Sequence, residues 1–330
     1  MQKQILATGV FLLSFLFPLK VLAQKYDEIY IFGDSFSDTG NVFKATGGIA
    51  PPSPYYQGRF SNGPIWVEYL ANDLGLTPNP TTNFAFGGAT TGFDNIGIAG
   101  LPGLQQESED FTAAHESADP KALYIVWAGT NDYLEYLSGG VPNPTETVTN
   151  LATAVTSLAT DGAKNIMVAN LLDLGKLPGT RINSQISGGL STLIGVHNSN
   201  LTATLDDLSQ KLSPDINIIP LDVNSLFNRF FTTPGEFGFT DVTDSCLGNL
   251  VLANLPPAPS QPEACNTNPD QFLFWDSVHP TTAADKLLGD FAFSTLEARA
   301  VPEASTGAGA LAFGVGAVSL LKRNSFRKRD

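Results

Sequence analysis

A serine becomes a nucleophile when a base takes its proton, a carboxylate orients that base, and donors receive the charge that develops on the attacked oxygen. Four short segments of this 330-residue sequence carry those residue types in order. Ser35 lies in "GDSFSDTGN", where the apolar run Ile29–Phe32 turns abruptly polar. Gly88 lies in "NFAFGGATTG" (Asn83–Gly92), and Asn131 in "WAGTND" (Trp127–Asp132). Asp276 and His279 share "FWDSVHPT" (Phe274–Thr281). Taken singly, each has a plain reading. "GDS" is a turn that ends a strand, "GGAT" a loop, "GTND" a turn, and "DSVHP" the capped start of a helix, since Pro is tolerated in a first turn. Taken together they supply what acyl transfer needs. Ser35 is the nucleophile and His279 the base. Asp276, three residues before His279, orients the imidazole and stabilises its positive form. Gly88 lets a backbone N–H approach an oxyanion closely, and the Asn131 side chain adds a neutral donor.

These residues need a scaffold. Strand candidates are Glu28–Phe32, Ala122–Ala128, Asn165–Asn170 and Ile216–Leu221. Between them lie helical patterns. In Thr145–Thr160 the apolar positions Val148, Leu151, Ala152, Val155, Leu158 and Ala159 follow the 3.6-residue period, and Gly162 ends the run. A second stripe joins Leu190, Ile194, His197, Leu201, Leu205, Leu208 and Leu212. A third helix is expected after Pro280, burying Leu287, Leu288 and Phe291. Strands alternating with helices imply an α/β fold with a parallel sheet covered on both faces. Such sheets place their chemistry at the carboxyl ends of the strands, where Ser35 and Asn131 fall. Gly47–Asn62 and Gly92–Gly103 are Gly/Pro-rich loops placed to wall a cleft.

The four segments resemble the sequence blocks of the GDSL, or SGNH, hydrolases: Ser35, Gly88, Asn131 and His279 in that order, with Asp276 three before His279. Pro51–Ala71, "PPSPYYQGRFSNGPIWVEYLA", resembles the stretch after the first block in the lipase/phospholipase-like branch. The departure is Phe36 where the family name has Leu, a side chain expected only to pack. The resemblance implies a flavodoxin-like three-layer α/β/α sandwich with a central parallel sheet, and ester hydrolysis without a cofactor. It also implies an oxyanion hole of the Ser35 and Gly88 amides with the Asn131 side chain. The G-x-S-x-G nucleophile elbow of the α/β-hydrolases is absent from the sequence.

The termini read as addresses rather than fold. In residues 1–23 Lys3 precedes an apolar run, Ile5–Phe17, and Val21-Leu22-Ala23 fits a small-residue cleavage site, as in a secretory signal peptide. The run of ~13 apolar residues is short of the ~20 that a membrane span needs. Residues 24–300 are expected to form the hydrolase domain. Residues 301–330 join "VPEAST", an apolar stretch and the basic end "KRNSFRKRD". This tail resembles the PEP-CTERM signals that exosortases recognise, with Ala304 where a second Pro is usual; a plain hydrophobic anchor is the rival. The expected product is exported, extracellular or at the cell surface, touching membrane only through the tail until that tail is processed.

Between residues 24 and 321 the chain has 11 basic and 31 acidic residues, a net charge of −20. Such a surface repels phosphate backbones and argues against nucleic acid. The only two cysteines, Cys246 and Cys265, are expected to pair in an oxidising compartment, two free thiols being the alternative. Both lie in or beside a Pro- and Asn-rich stretch, Gly248–Asp270, that reads as a long surface loop. With three histidines and no ligand spacing, no metal site is expected. His197 is expected to pack on its helix stripe and His115 to be exposed. "DVTDSC" (Asp241–Cys246) reads as a solvated turn and "QESED" (Gln106–Asp110) as a solvated helix face. The expected function is cleavage of carboxylic esters, as an esterase, lipase or phospholipase. A carbohydrate acetylesterase is the alternative enzyme. A non-catalytic surface-binding protein on the same fold is the alternative of another class, and the complete set Ser35, Asn131, Asp276 and His279 argues against it.

Overall fold

The computed structural model of the chain describes residues 26–247, 265 and 267–300. The expectations for the signal segment, for the tail and for most of Gly248–Asp270 lie outside them. Four strands, β1 (Ile29–Gly33), β2 (Leu123–Trp127), β3 (Asn165–Ala169) and β4 (Asn217–Leu221), form one sheet in the order β1-β2-β3-β4. Every pairing is parallel. The four predicted strands agree with these to within one residue at each end. β2 and β3 are buried along their whole length. This is why they read as unbroken apolar runs instead of alternating ones. A further segment lines the outer edge of β1. Ile31 N–H donates to Thr82 O, Phe84 N–H to Ile31 O and Phe86 N–H to Gly33 O.

Side chains alternate across the sheet and feed two cores. Ile29, Ile31, Ile125, Trp127, Met167 and Ile219 face one; Phe32, Tyr124, Val126, Ile166, Val168 and Ile218 face the other. Helices α2 (Trp66–Asp73), α7 (Val223–Thr232) and α8 (Thr282–Ala300) contribute to the first core. Helices α3 (Leu104–Ala114) and α5 (Pro144–Asp161) contribute to the second. Helix α6 (Ser184–Lys211) serves both, giving Leu190 and Ile194 to one and Leu201 and Leu205 to the other. The result is a three-layer α/β/α sandwich. Two short helices, α1 (Asn41–Ala45) and α4 (Thr130–Leu134), follow the ends of β1 and β2.

The helices predicted from periodicity are present. α5 is capped by Asn143, whose side chain accepts the N–H groups of Thr145 and Glu146, and it ends at Gly162. In α8, Leu288 is fully buried while Leu287 and Phe291 are only partly so, packing at the edge of the core.

Three readings are corrected. "DVTDS" is a strand, β5 (Asp241–Ser245), paired in parallel with β6 (Phe272–Phe274). His115 is half-buried, not exposed: its ring stacks on Phe111 at 4.4 Å between centroids, and Nδ1 lies 2.8 Å from Phe111 O. In "QESED", Glu107 and Ser108 are buried. His197 packs as expected, fully buried with Nδ1 2.9 Å from Tyr133 Oη.

Cys246 and Cys265 are bonded to each other. They pack with Phe272 and Trp275, and the N–H groups of Cys246 and Leu247 donate to Phe274 O and Trp275 O. The bond thus pins the strand that leads to Asp276. With the cysteines 19 positions apart in sequence, breaking the closure with Cys246→Ala is expected to cost about 3 kcal/mol. The midpoint of urea unfolding measures it.

Candidate active site

β1 ends where only glycine fits. Gly33 has φ +146°, and a Cβ there would sit 2.0 Å from Trp127 O. The chain then coils: Ser37 N–H and Asp38 N–H both donate to Asp34 O, and Asp34 Oδ1 accepts the N–H of Phe36. Ser35 sits on this coil at the carboxyl end of the sheet, 9% exposed. Phe36, the departure from the family pattern, is buried against Trp127 (4.8 Å) and the His279 ring (5.4 Å). It packs, as expected.

His279 arrives on a tight loop after β6. Asp276 Oδ1 accepts the N–H groups of Val278 (2.8 Å) and His279 (2.7 Å), and Trp275 N–H donates to His279 O. This local folding turns the imidazole back onto its own carboxylate. His279 Nδ1 lies 2.8 Å from Asp276 Oδ2, and Nε2 lies 2.7 Å from Ser35 Oγ. Residues 244 positions apart are thereby joined in one line, with Asp276 fully buried. Oδ2 of Asp276 also accepts the phenol O–H of Tyr55 at 2.8 Å. The Phe60 ring lies 5.1 Å from that of His279. Both aromatic residues come from the loop 47–62, which does wall the site.

Gly88 lies two residues past Phe86, whose N–H meets the end of β1. It has φ +85°, and a Cβ would meet Asn95 Oδ1 at 2.5 Å. The second predicted wall, 92–103, holds this turn: Asn95 Nδ2 donates to Gly87 O, and Ile96 N–H to Gly88 O. Asn131, on α4, reaches the same turn, donating from Nδ2 to Ala89 O at 2.8 Å. An amide nitrogen has two N–H groups, so one remains for a substrate oxygen.

Carboxylates brace this arrangement. Asp38 Oδ1 accepts Gly40 and Asn41 N–H, and Oδ2 accepts Val42 and Gly87 N–H. Glu107 accepts Gly33 N–H (2.7 Å) and Phe86 N–H (3.2 Å), tying α3 to both chains at the sheet edge. Asp132 holds Thr91 through its N–H and its hydroxyl. Sequence reasoning gave these three no role. Asp38 carried a signal, standing just before a helix as capping residues do. Glu107 carried none, because its partners lie far away in sequence.

Burial dominates the electrostatics. It pushes Asp34 up to about 7, against the N–H of Phe36 and the charge of His279. It pushes Asp132 up to about 6 despite the Thr91 hydrogen bonds. Burial also raises Asp38, and raises Glu107 and Asp285 well above the carboxylate range. A carboxyl raised in this way contributes stability below its unfolded pKa, and loses it as pH rises through the folded value. His197 acts in the opposite sense. Burial lowers it to about 4, so its contribution is complete above its ordinary value of 6.5 and is lost on acidification. Above pH 6.5 the carboxyls therefore govern. The melting temperature is expected to fall between pH 6.5 and 8.5, as calorimetry in matched ionic strength would measure.

The sequence profile of the GDSL-like lipase/acylhydrolase family matches residues 29–291. The chain is 29% identical over 314 residues to the phosphatidylcholine-sterol acyltransferase of Aeromonas hydrophila, covering 83% of this chain and 91% of that one. It is 30% identical over 273 residues to the thermolabile hemolysin of Vibrio parahaemolyticus serotype O3:K6 (strain RIMD 2210633), over 80% of this chain and 62% of that protein. Among solved structures, a member of the lipolytic protein G-D-S-L family from Veillonella parvula DSM 2008 aligns with 81% of this chain and 96% of its own, with a TM-score of 0.46 and 18% identity. With its profile match running from β1 into α8, the chain belongs to the GDSL-like lipase/acylhydrolase family and is a carboxylic ester hydrolase.

Proposed function

We propose that the chain is an exported serine esterase that cleaves lipid esters through an acyl-Ser35 intermediate. The observation that carries the reading is the continuous line Asp276–His279–Ser35, with both ring nitrogens within 2.8 Å of their partners. Ser35 Oγ attacks the ester carbonyl carbon while His279 Nε2 takes the hydroxyl proton, and Asp276 stabilises the imidazolium. The amides of Ser35 and Gly88 and the remaining N–H of Asn131 receive the oxyanion. When the intermediate collapses, the departing alcohol takes the proton from Nε2. Water then gives a proton to Nε2 and attacks the acyl carbon, and Ser35 leaves with the proton restored.

An oxyanion donor acts in the transition state. Asn131→Ala is therefore expected to lower kcat by about 10²–10³ and leave KM nearly unchanged. Steady-state kinetics decide it, and a pure KM effect would reassign Asn131 to substrate positioning.

The similarity to a phosphatidylcholine-sterol acyltransferase supports a lipid ester. So do exposed apolar side chains on the two walling loops, Ile49 on one and Phe93 and Ile96 on the other. The signal-like residues 1–23 and the Cys246–Cys265 bond support export. The tail 301–330 supports sorting by an exosortase-like enzyme. The test is a panel of phospholipid vesicles, chromogenic esters of increasing chain length and acetylated oligosaccharides, with a serine-directed fluorophosphonate mapped by peptide analysis. Label on Ser35 and preference for the longer acyl chains are expected. Preference for acetylated sugars would move the substrate to carbohydrate, and label elsewhere would remove Ser35 from the reaction.

A further inference from the structure

The buried carboxylate of Asp276 accepts four hydrogen bonds. Three come from its own turn: the N–H groups of Val278 and His279 on Oδ1, and His279 Nδ1 on Oδ2. The fourth comes from 221 residues away, the phenol of Tyr55 on Oδ2. The oxygen that faces the imidazole is thus shared between two donors. Building on the proposed triad, we infer that Tyr55 is a positioning residue: its O–H holds Asp276 in the plane of the imidazole and takes up part of the negative charge that His279 meets.

Tyr55 is held in place independently of Asp276. Its N–H donates to Pro52 O, and its side chain packs against the cluster of Cys246, Cys265, Phe272 and Trp275. The ring meets Phe60 edge-on at 6.2 Å. Burial, followed by the charge of Asp276, drives the phenol far above its ordinary range, so it remains a donor throughout the pH range of catalysis. Apart from Asp276 and Tyr55, the acidic groups nearby are Asp34, whose carboxyl feels the charge of His279, and Asp132, which acts on Asp34. Neither donates to Asp276.

The position also explains why this phenol is more than a support. A hydrogen bond to a carboxylate stabilises its charged form and lessens its pull on a neighbouring cation. Without the phenol O–H, the carboxylate attracts the imidazolium alone. The proton then leaves His279 less readily, and activity appears only at higher pH. The carboxylate is also freer to rotate about its last bond, which lowers the rate at every pH.

Tyr55→Phe removes the hydroxyl and keeps the ring. It is expected to lower kcat about tenfold and to move the acid limb of the kcat/KM profile up by about half a pH unit, with a chromogenic short-chain ester as substrate. The melting temperature should stay within a few degrees. The same change made on top of Asp276→Asn should have little further effect, since the charge it tempers is gone. An unmoved limb, an additive effect in the double variant, or a Tyr55→Phe chain that fails to fold would each make Tyr55 a structural residue and overturn the inference. Ser35→Ala, assayed alongside, separates the two readings. If it retains activity the triad itself fails; if it is inactive while Tyr55→Phe is neutral, only the role of Tyr55 does.

Discussion

Ser35→Ala is expected to lower kcat by about 10⁶, the loss seen when a serine protease loses its nucleophile. The size follows from the geometry. In the proposed reaction Ser35 Oγ bonds to the acyl carbon, and among the described residues no other hydroxyl is placed against His279 Nε2. Water can occupy the space left by Oγ, and the oxyanion donors remain. The variant should therefore retain a residual rate of about 10³–10⁴ over the uncatalysed reaction. The fold should not suffer, since the turn around Ser35 is held by backbone bonds to Asp34 O and by Asp34 Oδ1, not by the serine hydroxyl. The measurement is single-turnover hydrolysis of a chromogenic ester together with a melting curve. A well-folded variant within about tenfold of the parent would exclude an acyl-serine route.

Asp276→Asn comes next, with an expected loss of about 10⁴ in kcat. The replacement matches the carboxylate in shape, and its amide oxygen still accepts the N–H groups of Val278 and His279 that build the turn. What changes is the partner of Nδ1. An amide N–H facing Nδ1 forces the ring into the tautomer that carries its hydrogen on Nε2, so Ser35 meets a donor where it needs an acceptor. The imidazolium also loses its counter-charge. His279→Ala should cost at least as much, whereas His115→Ala and His197→Ala leave the chemistry intact. The comparison is made on purified variants with matched melting curves. Substantial turnover by His279→Ala, alongside loss in a folded His197→Ala, would misassign the base.

Much of this molecule is legible from local pattern. β2 and β3 announce themselves because both their faces are covered. α5 shows its apolar stripe, its cap at Asn143 and its stop at Gly162. The site residues stand out because each sits where a strand or turn ends in residues that packing alone does not require. What stays hidden depends on partners distant in sequence. Thr82–Phe86 pairs along one edge only and reads as loop. β5 is largely polar and paired on one side, so it lacks the alternation that marks a strand. Glu107 looks solvated because a charged side chain in a polar run usually is. Its burial depends on two N–H groups, at Gly33 and Phe86, that the fold delivers. Tyr55 likewise sits in a Pro-rich stretch with no local sign of the carboxylate it meets.

The burial of His197 makes the protein its own standard for magnetic resonance. The chain has three histidines. The ring of this one is sealed against Tyr133, and its proton affinity is depressed to about 4. Across pH 5.5 to 8.5 it stays neutral and keeps one tautomer, so its carbon-bound ring resonances should hold a constant chemical shift. The two remaining imidazole spin systems can then be followed against a fixed internal marker. The state of His279, the proposed base, becomes visible in the resting protein, before any substrate is added.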